Sequence, residues 1–473
     1  MSSLFQAANN LTATDNGATA FKSTTNACLD YFFHAPALRG NPAEAMRKFS
    51  AAYAENPELA LRILQWLRDV RGGAGVRQLF LDVLSFHSVG KETIPQEVLI
   101  KLVHKVPEIG RFKDLLCFAG TRMEEEAFTI IKTALEAGNG LCAKWMPRQG
   151  EVANKLRKFL GIKTPKEYRK LLVSLSDTVE QKICAQEWDK IAFDKLPSLA
   201  AKRYQSLFNK HAAERYAQYK ADLEVGDTKV NAATLYPHDC IVATKHGDEA
   251  VAQAQWNALP NYLEGVEDRI LPVVDVSPSM DCGAGTGSNY QRSAITCMDV
   301  AIALGLYLSE RNEGIFHNKF VTFHSNPTFV QVSGSLRERF NQAKRSAWGG
   351  STNLERTFEV LLNAAVTHNL PEDQMPTKIL ILSDMQFDQA VYRPTESLFQ
   401  NIEKQYADAG YKRPQIVFWN INSSGGNVPI TLGMGGTGLV SGFSPSVMKG
   451  VLSGELDPMN VMMSIVGNPR YDL

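Results

Sequence analysis

The 473-residue chain carries 50 Lys plus Arg against 50 Asp plus Glu, with 44% apolar and 21% charged residues. That length exceeds one compact core and predicts at least two domains, and the composition is ordinary for a soluble globular protein. A net charge of zero argues neither for nor against a polyanionic partner, and no apolar run approaches the roughly 20 residues that a membrane-spanning helix needs.

The opening stretch MSSLFQAANNLTATDNGATAF lacks the basic start and apolar core of a secretory signal. Over the first 264 residues the pattern is then helical. In NPAEAMRKFSAAYAENPELALRILQWLRDV, apolar residues recur at helical spacing. Asn41-Pro42 and Asn56-Pro57 read as helix starts, because Asn caps orphan amides and Pro suits the first turn. RGGAG (71–75) breaks the pattern and VRQLFLDVLSF resumes it. PQEVLIKLVHKV, RFKDLLCFAG, MEEEAFTIIKTALEAG, PKEYRKLLVSLSDTVEQKICAQEWDKI and SLAAKRYQSLFNKHAAERYAQYKADLEV follow, separated by short turns marked by Gly or Pro. Many short amphipathic helices in series predict a helical-repeat domain over 1–264, HEAT-like, as an open solenoid or a ring.

From residue 265 the rhythm changes. RILPVVDV is a strand and YQRSAITCMDVAIALGLYLSER a helix. NKFVTFHS and PTFVQV form a hairpin, and SLRERFNQAKRSAW and NLERTFEVLLNAAVTH are helical. TKILILSDM is a strand, TESLFQNIEKQYADAG a helix and PQIVFWNIN a strand, and the late GMGGTGLVSGF is a strand between loops. Alternating strands and helices predict an α/β domain over 265–473 with a mostly parallel sheet, so the whole chain reads as α + α/β. The seven cysteines, Cys28, Cys117, Cys142, Cys184, Cys240, Cys282 and Cys297, include no C-x-x-C pair. They read as reduced thiols of a cytoplasmic protein and give no zinc spacing.

Ligands of such sheets sit at the carboxyl ends of the strands. There the buried run Ile270–Val274 ends in Asp275, followed by Ser277 and Ser279. WGGSTNLERTF places Thr352 in a Gly-rich loop before a helix, and KILILSDMQFD ends a second buried strand in Ser383-Asp384. Hydroxyls with few carboxylates suit a hard divalent cation, which prefers oxygen ligands and keeps some water. Such an undercharged ion seeks an acidic ligand from outside. The competing reading is that these residues only cap helices or form Asx turns.

D-x-S-x-S, a downstream Thr in a Gly-rich loop and an Asp ending a strand together resemble the metal-ion-dependent adhesion site of von Willebrand factor A domains. The resemblance implies that Ser277, Ser279 and Thr352 bind Mg²⁺, or Mn²⁺ or Ca²⁺ in its place, with Asp275 and Asp384 acting partly through water. Pro278 departs from the family pattern and removes a backbone donor.

In the helical half, NGATAFKSTTNACLDYFF, LRDVRGGAGVRQLF, VPEIGRFKDLL, AKWMPRQG, EYRKLLVSLSDTVEQKICAQEWDKIAFDKLPSLAAKRY and LYPHD resemble the DUF2828 family of Ro/TROVE-like proteins. That resemblance implies a ring of helical repeats joined to a von Willebrand A domain. It also implies a noncatalytic ribonucleoprotein scaffold that binds small noncoding or misfolded RNA on a basic surface.

The charge distribution agrees with a polyanionic ligand. Residues 1–264 hold 34 basic and 30 acidic side chains, whereas 144–215 alone hold 16 and 8. Phosphate neutralisation needs clustered cations. Those that stand out are Lys144, Arg148, Lys155, Arg157, Lys158, Lys166, Arg169, Lys170, Lys202 and Arg203. Arg68, Arg71 and Arg77 flank a Gly-rich turn that reads as a phosphate cradle. Trp145 and Tyr168 in the same stretch offer aromatic faces on which single-stranded bases stack; the rival expectation for both is a place in the core. GAGTGSNY (283–290) is an incomplete nucleotide-loop pattern, and His238 and His324 lack a catalytic partner pattern. No Ser–His–Asp order or carboxylate pair predicts an enzyme. The expected partners are RNA and, at the metal site, an acidic protein; neither DNA nor a membrane is expected. The rival function is a metal-dependent protein-assembly adaptor that touches no nucleic acid.

Overall fold

The computed structural model describes residues 10–14, 19–90, 94–230, 232, 235–246, 249–285, 295–346, 352–387, 395–423, 426–432, 434–452 and 456–473. The side chains of 19, 198, 199, 202, 246 and 395–398 lie outside that description. The chain divides into two compact units. One is Met1–Ile63 with Ala232–Arg470, and the other is Leu64–Asn231 with Tyr471–Leu473. This division differs from a cut at 264/265: the change of rhythm marks where the sheet's strands begin, not where its unit begins.

The first unit is built on a six-stranded sheet. A short antiparallel pair, β1 (Leu11–Ala13) and β2 (Thr19–Phe21), lies outside that sheet. The sheet itself comprises β3 (Ile270–Asp275), β4 (Lys319–Phe323), β5 (Phe329–Gln331), β6 (Lys378–Ser383), β7 (Gln415–Asn420) and β8 (Thr437–Ser441), in the order β5-β4-β3-β6-β7-β8. Every pairing is parallel except β4 with β5, the hairpin expected from the sequence. Strands β3 and β6 are buried at all positions, which explains their unbroken apolar runs.

Helix Cys297–Arg311 packs against β3, β4 and β6. Thr296 caps it through a capping box with Asp299. Its Gly305 permits the close approach, since a Cβ there would meet Val274 Cγ2 at 2.4 Å. The order turns back between β3 and β6, so the carboxyl ends of these neighbours flank the topological switch point where ligands of open α/β sheets bind.

The N-terminal segment belongs to this unit, which the helical rhythm does not disclose. Phe21 bridges Val428, and helix Ala27–His34 packs on β8. The caps expected from Asn-Pro dipeptides are present. Asn41 Oδ1 accepts from Glu44 N, opening helix Pro42–Glu55, and Asn56 Oδ1 accepts from Leu59 N, opening Pro57–Arg68.

The second unit is helical. Helices Gln78–Val89, Gln96–Ile109 and Glu124–Glu136 all pack on the 3₁₀ segment Phe112–Phe118. Helices Gly140–Trp145, Glu151–Phe159 and Pro165–Leu175 follow, the last opened by a Thr164–Glu167 capping box. A separate aromatic core gathers Val179, Ile191, Phe193, Leu196, Phe208, Ala212 and Tyr216. Tyr471 is tied into the same unit: its hydroxyl donates to Asp69 Oδ2 at 3.1 Å and its carbonyl accepts from Gln65 Nε2 at 2.8 Å. Among the described residues no helix is long and apolar enough to cross a membrane.

Candidate functional site

Three neighbouring parallel strands end alike. At β3, β6 and β7 an Asp or Asn side chain accepts the N–H two residues on: Ser277 N to Asp275 Oδ1 (2.9 Å), Gln386 N to Asp384 Oδ1 (3.1 Å) and Asn422 N to Asn420 Oδ1 (3.0 Å). Asx turns therefore account for one oxygen of each carboxylate. The remaining oxygens converge. Ser383 Oγ donates to Asp275 Oδ2 at 2.6 Å and accepts from Met385 N at 3.1 Å. Ser277 Oγ and Ser279 Oγ lie 2.9 Å apart. Met385 adopts φ +64°, a left-handed conformation that a long side chain rarely takes, directly after Asp384.

Burial sharpens the electrostatics. Asp275 and Asp384 are 0% and 1% exposed. Asp384 Oδ2 has no hydrogen-bond partner among the described residues. Burial, then the neighbouring Asp275 charge, push the Asp384 carboxyl up to about 7, against smaller opposing contributions from the Gln386 N–H and Ser279. Two buried carboxylates, one oxygen unpartnered, with two serine hydroxyls beside them form a donor set that fits a hard cation. Among the described residues no three His, Cys, Asp or Glu side chains gather as a metal site; the present set holds two such groups and is otherwise hydroxyl.

Contacts join Asp275, Ser277, Ser279 and Asp384 of the residues expected from the sequence, and add Ser383, which sequence reasoning quoted without assigning it a role. Thr352 is buried directly before Asn353, which caps helix Leu354–Thr367; the Gly-rich residues before it, 347–351, lie outside the described residues. The polar set continues along the sheet edge. Asn422 Nδ2 donates to Cys282 Sγ at 3.4 Å, and Cys282 Sγ lies 3.3 Å from Cys297 Sγ, with both thiols free. Ser423 Oγ accepts from Asn420 Nδ2 at 2.8 Å and lies 3.1 Å from His34 Nδ1. No sequence signal could have joined His34 to Ser423 across 389 positions. His34 Nε2 is buried without a partner among the described residues.

His324 at the end of β4 makes a local turn, its Nδ1 accepting from Asn326 N at 3.2 Å. His238 stands beside Tyr236 and Phe443. Of GAGTGSNY, residues 283–285 are described and 286–290 lie outside; Gly285 O accepts from Gly40 N at 2.7 Å.

The basic residues of the helical unit divide by environment. Arg68 is corrected: it is 1% exposed, and its Nε and Nη2 donate to Asp114 Oδ2 at 2.9 and 2.5 Å, so it cannot reach a phosphate. Arg157 is engaged too, its Nη1 donating to the carbonyls of Ile162 and Lys163 at 2.6 Å. Lys155 pairs with Glu124 and Glu151 at 3.7 and 3.3 Å. Arg71, exposed, donates to Glu108 O at 2.8 Å, and Arg77 Nε to Asp114 Oδ1 at 2.7 Å. Lys144 is half-buried, its Nζ 5.8 Å from the Trp145 ring centroid.

Arg148, Lys158, Lys166, Arg169, Lys170 and Arg203 are exposed, with no ion pair among the described residues. Lys166, Arg169 and Lys170 sit at i, i+3 and i+4 of helix Pro165–Leu175, so they share one face. Tyr168 of that helix is core, 1% exposed, as the rival expectation held. The Lys202 side chain lies outside the described residues.

Comparison with known proteins places this geometry in a family context. Residues 14–87 and 143–265 match DUF2828, a domain of unknown function. The DUF2828 part of the resemblance read from the helical motifs is thereby supported in those two stretches. Over 269–464, the stretch expected to be a von Willebrand A domain, the matching model is instead DUF7788, another domain of unknown function. Uncharacterized protein L728 of Acanthamoeba polyphaga mimivirus is 28% identical over 516 residues, covering 97% of this chain and 87% of that protein. No solved structure matches the chain.

Proposed function

We propose that this is a noncatalytic RNA-binding protein, a Ro-like ribonucleoprotein scaffold of the cytoplasm that takes small structured or single-stranded RNA on its helical unit. The observation that carries this reading is the set of exposed cations without carboxylate partners: Arg148, Lys158, Lys166, Arg169, Lys170 and Arg203. Three of them, Lys166, Arg169 and Lys170, share one helix face, and clustered unneutralised cations are what a phosphate backbone requires, because binding there releases condensed counterions. In this reading the helices are the helical-repeat part of a TROVE-like architecture, and 265–473 is a von Willebrand A domain. Its strand order, its antiparallel edge strand β5 and the D-x-S-x-S after β3 support that assignment. Ser277, Ser279, Thr352, Asp275 and Asp384 would hold Mg²⁺, which supplies a positive centre for a carboxylate of a protein partner.

Binding of a fluorescent single-stranded RNA, followed by anisotropy across a salt series, tests the reading. The affinity should fall with salt at a logarithmic slope of about −0.7 per phosphate contact. Lys166→Glu/Arg169→Glu/Lys170→Glu should make that slope shallower by about 2, from three lost contacts. A salt-independent isotherm contradicts the reading. A second reading, an assembly adaptor without nucleic acid, is favoured by the buried Asp275–Asp384 cluster. It predicts instead that the triple reversal leaves function intact while Asp275→Ala abolishes partner capture.

A further inference from the structure

Beyond the exposed helix face, the helical unit contains a second, more specific arrangement of cations. Asp114 is 0% exposed and is saturated: it accepts from Arg68 Nε and Nη2, from Arg77 Nε and from the Arg111 backbone N–H at 3.1 Å. One carboxylate therefore serves a neighbourhood of three guanidinium groups, and the buried Arg68 uses up its charge. Arg77 engages Asp114 through Nε alone, and neither of its Nη groups has an acceptor among the described residues. The Arg111 guanidinium, exposed, has none either. Partial burial, then the neighbouring charge of Arg68, with a smaller contribution from Arg77, hold the Arg111 pKa below its ordinary value, against the pull of Asp114. Arg111 Cζ stands 5.2 Å from the centroid of the half-buried Trp145 ring, with Lys144 Nζ at 5.8 Å.

We propose that Arg77, Arg111 and Trp145 form a subsite for one nucleotide unit of single-stranded RNA, the two guanidinium forks taking its phosphoryl group and the indole its base. This deepens the RNA-binding reading and rests on it for the identity of the polymer. The chemistry matches on both sides. An anion removes the repulsion between two neighbouring cations, and a guanidinium fork meets phosphoryl oxygens in a bidentate manner. A nucleobase stacks on the guanidinium–indole pair that Arg111 makes over Trp145, which is how single strands are held without reading their sequence. A phosphorylated peptide would use the arginines and leave the indole idle.

The full-length chain is tested against a single-stranded oligoribonucleotide, AMP, inorganic phosphate, adenosine and a phosphoserine peptide. The variants are Arg111→Ala, Arg111→Lys, Trp145→Ala, Trp145→Phe and, outside the subsite, Lys170→Ala. Arg111→Ala and Trp145→Ala are each expected to weaken RNA and AMP about tenfold. Trp145→Phe should restore most of the loss, because it keeps a ring; Arg111→Lys should not, because it lacks the fork. Lys170→Ala should spare AMP. Arg111 is exposed, so unchanged thermal unfolding of its variants separates lost binding from misfolding.

RNA binding untouched by the Arg111 and Trp145 variants overturns the subsite and leaves the RNA reading standing. AMP bound in an Arg111-dependent way without any RNA binding keeps the nucleotide subsite and overturns the polymer. The phosphoserine peptide bound in preference to AMP, or no ligand bound at all, overturns the proposal.

Discussion

Asp114→Ala is expected to destabilise the helical unit by about 3–5 kcal/mol, the range for removing one partner of a buried ion pair. Arg68 is 1% exposed and turns two donors to Asp114 Oδ2. Deleting the carboxylate strands that guanidinium in the interior and takes the acceptor from Arg77 Nε and the Arg111 N–H at once. The loss is therefore dominated by an uncompensated charge, not by the missing attraction. Asp114→Asn keeps an acceptor oxygen while removing the charge, so it should fall between wild type and Ala. Urea unfolding followed by far-ultraviolet circular dichroism gives both shifts. A loss below about 1 kcal/mol for Asp114→Ala would mean that Arg68 finds water or another acceptor.

Asp275→Ala is expected to abolish stabilisation by a divalent cation. In the wild type, Mg²⁺ at one hundred times its Kd should add about 2.7 kcal/mol. The gain should depend on pH with a definite sign. Burial, and then the Asp275 charge, raise the Asp384 carboxyl from its ordinary 3.8 to about 7, so the fold keeps a proton that the unfolded chain has released. In cation-free protein, the Asp384 contribution to stability is full below the unfolded value and is lost as pH rises through the folded one. A cation displaces that proton, so its stabilising effect grows over the same window and levels off above it. Melting temperatures with chelator and with Mg²⁺, at about pH 5 and about pH 8, should therefore differ more at the higher pH. An undiminished shift in Asp275→Ala would remove the carboxylate cluster from consideration as the cation site.

Local chemistry made the strands and many helix starts legible in the sequence. Ile270–Val274 and Ile379–Leu382 are apolar because both faces of a parallel strand are covered, and the carboxylates that follow these runs stand at the strands' carboxyl ends. Asn41 and Asn56 announce their helices because a cap acts over three residues. What stayed hidden was long-range. The Phe21–Val428 bridge and the His34–Ser423 contact place residues 10–63 with the sheet, and helical periodicity reports only that a face is buried, never against what. For the same reason Arg68 looked like a ligand-binding cation beside a Gly-rich turn. Its partner Asp114 lies 46 positions away. Arg157 and Lys155 counted toward a basic stretch although one ties down the carbonyls after its own helix and the other faces two glutamates. Counting charges locates a basic region; only contacts tell which of its cations are left over.

The most direct measurement is to purify the full-length protein from cells at low salt and ask whether nucleic acid comes with it. Ultraviolet absorbance characteristic of nucleic acid is expected, removed by ribonuclease and not by deoxyribonuclease. This RNA should be absent from a preparation of Lys166→Glu/Arg169→Glu/Lys170→Glu that unfolds like the wild type. Protein that emerges free of RNA under those conditions, and stays so when incubated with cellular RNA, would contradict the RNA-binding reading.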